Sequence, residues 1–283
     1  MDLRPSARGW YPDPYGSHQY RWWDGKAWTS RAVTDNVEVD DPVGGRAATG
    51  PGAQAEAPAL PGGFVAAVLA YGIGVGAAFV VATLLAVAGD PGGALARVVA
   101  TQLALWTGLV GATVFVSRRS GSKKLVRDFN WQFRWSDIGY GLVGAASARE
   151  VAVLFASLVP ITPSHDVPSA FGRAPEGYEW AVLTIITCIG APLVEELFFR
   201  GLLQPRVVER LGPIVGVLVT AGLFGAAHLI AWSGRESLVY VAAVTGAGVV
   251  FGMLRHLTGR LGPSTAAHAL FNLQALVVTA LLR

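Results

Sequence analysis

The sequence predicts an all-α polytopic membrane protein with about seven transmembrane helices, preceded by a small β-hairpin module and a disordered linker. Only 14% of its 283 residues are charged, whereas charged residues make up about a quarter of an average soluble domain. The apolar residues are gathered in blocks of about 20 or more, the length that a helix needs to cross a bilayer. No block shows the alternating pattern of a membrane β-barrel strand, and a backbone in lipid must satisfy its own hydrogen bonds. The blocks are therefore expected to be helices.

Residues 1–33 are predicted to form a small aromatic module. The dipeptide Asp24-Gly25 suits a two-residue type I′ turn, and aromatic runs flank it on both sides. The resulting hairpin would place Arg21 opposite Trp28, within reach of a cation–π contact. Two roles stay open for this module: it binds a peptide, a lipid or the cell wall, or it is a self-packed aromatic cluster without a ligand.

Residues 34–63 are rich in Gly, Pro, Ala and acidic residues. They contain too few apolar side chains to offset the entropy that folding costs, so this segment is predicted to be a flexible linker. The first residues, 1–10, have no apolar core like that of a cleavable signal peptide. We therefore expect the N terminus to stay in the cytoplasm.

The membrane part, residues 64–283, divides into seven apolar segments. They lie at about 64–88, 95–117, 137–161, 179–203, 213–231, 237–256 and 263–282. Basic residues are concentrated in the second, fourth and sixth loops, which is typical of cytoplasmic loops. The second loop carries Arg118, Arg119, Lys123, Lys124 and Arg127. This pattern predicts a multi-pass protein of the cell membrane with a cytoplasmic N terminus. A weakly hydrophobic or re-entrant eighth segment around residues 128–135 is the alternative count.

The charge pattern argues against a nucleic-acid partner. The formal net charge is +3, and the arginines lie between apolar blocks rather than on one basic face. The single cysteine, Cys188, lies inside an apolar block, so disulfides have no part in the fold. The expected partners are the lipid bilayer and a membrane-associated peptide or protein, and the sequence predicts no oligomeric state.

Three ionisable residues near the end of the fourth segment, Glu195, Glu196 and Arg200, are candidates for a functional site. A charge inside a membrane helix is unfavourable unless a partner or a cavity receives it. Glu196 and Arg200 are spaced i,i+4 with the acid first, so they are predicted to pair. Glu195 points about 100° away around the helix. An unpaired and desolvated carboxyl titrates closer to neutrality, where a general base works best. A snorkelling cluster at a helix end is the alternative.

The fifth and seventh segments each carry a histidine, His228 and His268, and Asn272 follows His268 one turn later. Glu195 and His228 are almost equally far from the turn at Gly212, so at about 1.5 Å per residue they are predicted to face each other. Straight helices of equal length would place His268 shallower than this pair by about ten ångströms. Protrusion of the basic stretch after the fourth segment into the cytoplasm would reduce that mismatch. For each histidine, a plain hydrogen bond to a neighbouring helix is the alternative.

Three motifs resemble the signature of the CPBP family of intramembrane proteases, also called Abi, whose eukaryotic members cleave prenylated CAAX proteins. They are Glu195-Glu196-Leu-Phe-Phe-Arg200, Phe224-Gly-Ala-Ala-His228 and His268-Ala-Leu-Phe-Asn272. The resemblance covers roughly residues 179–275. It implies an intramembrane endopeptidase in which Glu195 and His228 activate water, while His268 and Asn272 bind or polarise the scissile carbonyl. Prenylated or leader-bearing peptides would be its substrates.

The N-terminal module resembles a short tryptophan-rich domain of unknown function that precedes membrane segments in bacterial proteins. The resemblance is carried by Gly9-Trp10-Tyr11-Pro12-Asp13-Pro14 and by Trp23-Asp24-Gly25-Lys26-Ala27-Trp28. It implies no activity.

The chemistry of the candidate residues leaves several alternatives open. Peptide hydrolysis needs a base for water, which Glu195 can supply, and donors for the developing oxyanion, which His268 and Asn272 can supply. Alternatively, Glu195, His228 and His268 could hold zinc and leave one position for water, as in a metalloprotease. A catalytically inactive membrane scaffold or bacteriocin-immunity protein, and a proton-coupled transporter, are the other functions considered. The sequence shows no internal repeat of the kind that transporters have.

Overall fold

The computed structural model describes residues 7–15, 17–34, 37–41, 63–159, 175–229 and 236–281. The chain divides into two compact units, Met1–Ala55 and Glu56–Arg283. The division follows the change in composition from an aromatic and charged segment to an apolar one.

The N-terminal unit contains a four-stranded antiparallel sheet in which each strand pairs with the next along the chain. The strands are β1 (Gly9–Pro12), β2 (Tyr20–Trp23), β3 (Trp28–Thr34) and β4 (Val37–Asp40). The sequence predicted a hairpin, and β2 and β3 form it. β4 lies within the segment predicted as linker, so the sheet extends further along the chain than the sequence indicated. The remaining linker residues, 42–62, lie outside the described residues.

The register of the β2–β3 hairpin differs from the predicted one. Trp23 pairs with Trp28, and Arg21 pairs with Ala32 rather than with Trp28. The connection has four residues instead of two, because the Asp24 carboxylate accepts hydrogen bonds from the backbone N–H groups of Lys26 and Ala27, each at 2.7 Å. A side chain that bonds the loop in this way stabilises an alternative to the type I′ turn.

A buried arginine organises this sheet. Arg21 is 1% exposed, and its Nε donates to Asp13 Oδ1 at 2.8 Å. Its other nitrogens donate to the Thr29 carbonyl and to the carbonyl and carboxylate of Asp41. The Arg21 guanidinium holds the pKa of the Asp41 carboxyl below its usual range. Because Asp41 directly follows β4, this network secures a strand that has few apolar side chains of its own.

The membrane unit consists of helices. They are α1 (Gly63–Val87), α2 (Gly93–Ser120), α3 (Leu125–Asp128), α4 (Ser136–Ser157), α5 (Tyr178–Leu211), α6 (Pro213–Ala226), α7 (Glu236–Thr258) and α8 (Gly262–Leu281). Among the described residues, six helices are long and apolar enough to cross a membrane, and α6 is a shorter apolar helix. Each of the seven predicted segments coincides with one of these seven helices, so the predicted fold class is confirmed. Residues 129–135 form no helix, so the eighth segment is not a spanning helix.

Helix α5 is longer than predicted. It continues to Leu211, for a length of 34 residues, whereas the sequence indicated an end near residue 203. Pro205 does not end the helix, because a π-helical stretch precedes it and the proline enters the next α-helical turn at its start. The apolar stretch of α6 was predicted to reach residue 231; the helix ends at Ala226, and residues 230–235 lie outside the described part.

Two π-helical stretches interrupt α5, at Ile186–Gly190 and Leu197–Leu203. The residue after each stretch donates its N–H to the carbonyl five positions back, and a proline follows. These residues are Ala191, which bonds Ile186, followed by Pro192, and Gln204, which bonds Phe199, followed by Pro205. Proline has no N–H to continue the ladder. Short π-helical insertions of this kind are frequent at functional sites, and Glu195 and Glu196 lie between these two.

The start of α8 is fixed by polar contacts from the α3–α4 region. Arg260 Nη1 donates to Asp137 Oδ2 at 2.5 Å, and Asn130 Nδ2 donates to the Gly259 carbonyl at 2.6 Å. Gly262 is required at this point, because a Cβ there would lie 2.1 Å from Asp137 Oδ2. These contacts set the position from which α8 carries its functional side chains.

Candidate active site

A buried cluster joins the charged residues of α5 to α8. Glu196 Oε1 accepts hydrogen bonds from Arg200 Nη1 at 2.9 Å and from His268 Nδ1 at 3.0 Å. Glu196 and Arg200 are both 0% exposed, and His268 is 4% exposed. The ion pair of Glu196 and Arg200 is the one that their i,i+4 spacing predicted. Because an ionised carboxylate can only accept, His268 Nδ1 carries a proton and Nε2 points elsewhere.

Arg200 is held on its other side by α7. Its Nη2 donates to the Gly248 carbonyl at 3.1 Å, and its guanidinium lies 4.3 Å from the centre of the Phe224 ring. A Cβ on Gly248 would lie 3.3 Å from this nitrogen and 3.1 Å from the Phe224 ring. One turn further along both helices, Gln204 Nε2 donates to the Gly252 carbonyl at 2.9 Å. The charge of Arg200 is therefore compensated by a carboxylate, a carbonyl and an aromatic face.

Glu195 has different surroundings from Glu196. Its Oε2 lies 3.9 Å from His268 Nε2, which is longer than a hydrogen bond. Its side chain is 12% exposed, whereas that of Glu196 is 0% exposed. Glu195 forms no direct hydrogen bond within the part of the chain that is described. Its carboxylate and the Nε2 face of His268 are therefore both available to a third group.

His268 is closer to Glu195 than the depth argument predicted. The expected offset of about ten ångströms is wrong, since the two side chains lie 3.9 Å apart. The offset was counted from the turn at Gly212 as if that turn were level with the one before α8, whereas α5 continues beyond residue 203 to Leu211. The turn at Gly212 is therefore displaced along α5, and it is not level with the turn that precedes α8.

His228 forms no ion pair with Glu195 among the described contacts. Its Nδ1 lies 2.8 Å from the Phe224 carbonyl, so Nδ1 carries the proton. Among the described contacts of Glu195, the imidazole within ion-pair distance is that of His268. The Phe224 ring contacts both imidazoles, at centroid distances of 4.9 Å to His228 and 5.6 Å to His268. That Glu195 and His228 face each other therefore stays a prediction.

Asn272 contacts α5 rather than the carboxylates. Its Nδ2 donates to the Thr187 carbonyl at 2.8 Å. Thr187 lies in the first π-helical stretch, before Glu195 in the chain. The structure therefore brings Glu195, Glu196, Arg200 and His268 together, with His228 joined to them through Phe224 and Asn272 one helical turn away on α8.

The first membrane helix also reaches the site. Tyr71 on α1 donates its hydroxyl to the Ala227 carbonyl at 3.2 Å, and Ala227 directly precedes His228. Tyr71 also lines an apolar cavity of about 320 Å³ between α1, α5 and α6. Phe198, Phe199, Leu203 and Leu223 are among the other residues that line it. Nothing in the apolar sequence of α1 distinguishes Tyr71, so it was not predicted as a site residue.

The three residues proposed as zinc ligands do not form a ligand group as they are placed. Within the described residues, no three His, Cys, Asp or Glu side chains converge to hold a metal ion. One nitrogen of His268 is bonded to Glu196, and one nitrogen of His228 is bonded to the Phe224 carbonyl. The zinc alternative stays a prediction, which the metal content of the purified protein would test.

Long apolar helices around a buried glutamate–histidine cluster define a multi-pass membrane protein with a polar site within its helix bundle. Residues 177–274 match the family model described as Type II CAAX prenyl endopeptidase Rce1-like, which covers α5 to most of α8. Residues 9–41 match the family model described as Protein of unknown function (DUF2510), which includes β4. Both resemblances predicted from the sequence are confirmed. Neither the curated proteins nor the solved structures give a significant match.

Proposed function

We propose that this protein is an intramembrane endopeptidase of the CAAX-protease type, in which Glu195 activates water for attack on a peptide bond. The observation that carries the proposal is the contrast between two adjacent carboxylates. Glu196 is fully buried and bonded to Arg200 and His268, while Glu195 is partly accessible and lies across a 3.9 Å gap from His268. A general base needs such a free oxygen near the reacting water. The match of residues 177–274 to the Rce1-like family supports a protease.

The reaction follows from these positions. Glu195 accepts a proton from water as the water oxygen attacks the scissile carbonyl carbon. Protonated at Nε2, His268 donates to the carbonyl oxygen, which becomes negative in the tetrahedral intermediate. The C–N bond then breaks, and the leaving amine takes the proton from Glu195. The products are a new carboxyl terminus and a free amine.

Glu196 and Arg200 are positioning residues in this mechanism. Glu196 fixes the His268 ring through Nδ1, so that Nε2 faces Glu195. Phe251 stacks on the same ring, with centroids 4.8 Å apart and an angle of 17° between the planes. Arg200 keeps Glu196 ionised. His228, whose ring contacts Phe224, joins the site as a hydrogen-bond acceptor through Nε2.

The apolar cavity beside the site supports a substrate with a hydrocarbon group. It is lined almost entirely by apolar side chains of α1, α5 and α6, and Phe198 and Phe199 connect it to the Glu195-Glu196 pair along α5. A prenyl group on a CAAX peptide, or an apolar side chain of a leader peptide, fits this lining. The description of the matching family names prenyl endopeptidases, which favours the prenylated substrate.

The test is cleavage of prenylated and unprenylated CAAX peptides by the protein in liposomes. Glu195→Gln keeps the size of the side chain and removes its basicity, so turnover should fall by about 10² to 10⁴ while thermal stability is unchanged. Glu209→Gln is the matched control, because Glu209 lies on the same helix with its side chain 67% exposed. Turnover by Glu195→Gln at the wild-type rate would remove Glu195 from its role. Failure of the wild-type protein to cleave any peptide would favour the scaffold or transporter alternatives.

A further inference from the structure

Helix α4 carries two adjacent charges of opposite sign on the outer surface of the helix bundle. Arg149 and Glu150 are both exposed, and neither has a hydrogen bond or an ion pair in the part of the chain that the structure describes. Helix α4, Ser136–Ser157, is one of the helices that are long and apolar enough to cross a membrane. At about 1.5 Å per residue, Arg149 lies roughly 20 Å from its first residue and roughly 12 Å from its last. Both charges therefore lie within the span.

The helix itself cannot compensate these charges. Adjacent residues point about 100° apart around a helix, so Arg149 and Glu150 do not face each other. The positions three and four residues away from them hold only alanine, valine, leucine and one serine. An arginine can extend its head group toward the membrane surface, but the shorter side chain of Glu150 cannot cover the roughly 10 Å to the end of the helix. Because lipid does not solvate a charge, such residues mark a site that receives a partner.

The face of α4 that carries the two charges is uncovered. Val143 and Val153 on this face are 69% and 59% exposed, and a Cβ on Gly139 would meet no atom within 4 Å. On the opposite face, Ala148 is 0% exposed and packs in a cluster with side chains of α7 and α8. The charged face of α4 is therefore the one that the described helices leave open.

Gly139, Ala146 and Val153 recur every seven residues along the middle of this open face, and we call their line the seam. Seven residues are almost two helical turns, so the three positions lie within about 40° of one another around the helix axis. Arg149 lies on one side of the seam and Glu150 on the other. Two of the three seam residues are small, which is typical of the places where membrane helices approach each other closely.

A second copy of the chain supplies both missing partners by symmetry. In a dimer with a two-fold axis along the membrane normal, the two α4 helices are parallel and contact each other along the same seam. A side chain on the left of one seam then meets a side chain on the right of the other. Arg149 meets Glu150 of the partner subunit at nearly the same depth, and the reciprocal pair forms on the other side of the axis. Both charges are then compensated at once.

We infer that this protein forms a parallel two-fold dimer through α4, in which Arg149 and Glu150 pair reciprocally across the interface. The apolar cavity beside the active site lies between α1, α5 and α6, so contact through α4 does not cover it. The dimer does not depend on the proposed function, because no step of the argument uses the active-site residues.

The first test is cysteine cross-linking of the full-length protein in liposomes, in a Cys188→Ala background. Ala146→Cys places a thiol in the middle of the seam, so a membrane-permeant oxidant should link two chains efficiently. Ile73→Cys is the matched control, because Ile73 is 68% exposed on α1 and lies as far from the start of its helix as Ala146 does. A dimer yield for Ala146→Cys no higher than that for Ile73→Cys would overturn the inference.

Charge reversal in the Ala146→Cys protein tests the pairing itself. Arg149→Glu leaves two acids on each chain, and Glu150→Arg leaves two bases, so each variant alone should cross-link on the order of tenfold less than the parent. When the two variants are mixed, every acid meets a base, and most of the lost yield should return as heterodimers. Parental yield in either single variant, or no recovery in the mixture, would overturn the inference.

A neutral variant keeps the test decisive if a reversed charge prevents membrane insertion. Arg149→Leu combined with Glu150→Leu removes both charges and suits a lipid environment, so this protein should accumulate and cross-link several-fold less than the parent. An unchanged yield would overturn the role of the charges. In cell membranes, the Ala146→Cys product should have twice the mass of one chain. A product of another mass in place of this dimer would assign the α4 face to a different partner and would also overturn the inference.

Discussion

From the buried ion pair in α5 we predict how far neutralising each of the two adjacent glutamates lowers the stability of the protein. Glu196→Gln preserves size and keeps an oxygen that can accept from Arg200 and His268, but it removes the charge that compensates Arg200. Both side chains of this pair are 0% exposed, so no water can replace the lost carboxylate. Breaking a buried pair by neutralising one partner typically costs about 3 to 5 kcal/mol.

The expected cost lies near the lower end of that range. Arg200 keeps its hydrogen bond to the Gly248 carbonyl and its contact with the Phe224 ring, so a loss of about 3 kcal/mol is expected. For a domain of this size, each kcal/mol shifts the melting temperature by about 2 to 4 °C, which gives a decrease of roughly 6 to 12 °C. Arg200→Ala should be at least as destabilising, because it leaves Glu196 without its main cation and opens a cavity.

Melting in detergent, followed by tryptophan fluorescence, measures this loss. Glu195→Gln is the matched control, because it makes the same chemical change at the adjacent residue, where the carboxylate has no direct hydrogen bond among the described residues. Its melting temperature should equal that of the wild-type protein. Melting of Glu196→Gln within about 2 °C of wild type, or an equal loss of stability in Glu195→Gln, would contradict this prediction.

Three further predictions concern topology, pH and packing. In a Cys188→Ala background, Ser17→Cys and Ser122→Cys should react with a membrane-impermeant maleimide only after permeabilisation; labelling in intact cells would contradict a cytoplasmic N terminus. Because Arg21 lowers the pKa of Asp41 in the folded sheet below its ordinary 3.8, this carboxyl stabilises the sheet above that pH, and the stability is lost as pH falls below it. Pepsin should therefore cleave the N-terminal unit more readily as pH falls from about 5 to about 2, and Asp41→Asn should make cleavage depend less on pH. An equal pH dependence of cleavage in the wild-type and Asp41→Asn proteins would contradict this role of Asp41. Gly190→Ala would place a Cβ 2.2 Å from Trp106 and should lower the free energy of unfolding by about 1 to 3 kcal/mol. Trp106→Phe should restore part of this stability. A Gly190→Ala protein that melts at the wild-type temperature would contradict the close packing of Gly190 on Trp106.

The elements that local pattern determines were predictable from the sequence. Apolar block length predicted the membrane helices, and the i,i+4 spacing of Glu196 and Arg200 predicted their ion pair, because both depend only on helix geometry. The family resemblance also depended on short motifs. These features need no knowledge of how distant segments pack.

Features that depend on packing between segments were not predictable in the same way. The contact of His268 with Glu195 and Glu196 depends on how α8 packs against α5, which the lengths of the apolar blocks do not determine. The bond from Asn272 reaches Thr187 in a π-helical stretch, which apolar periodicity does not indicate. Tyr71 lies in an apolar helix without a motif. In the N-terminal sheet, one side chain, Asp24, changed the length of a loop and with it the register of the hairpin.

The distribution of the active site along the chain has a consequence for biosynthesis. Glu195, Glu196 and Arg200 are synthesised well before their partners, since Gly248 lies 48 residues after Arg200 and His268 lies 72 residues after Glu196. While the ribosome is still translating α7, the buried arginine has a carboxylate but no carbonyl from α7, and no imidazole is yet in place. If the proposed function holds, a nascent chain has no complete site until α8 has entered the bilayer and docked. On the proposed function, docking of α8 completes the site, and chains truncated within α7 should be inactive.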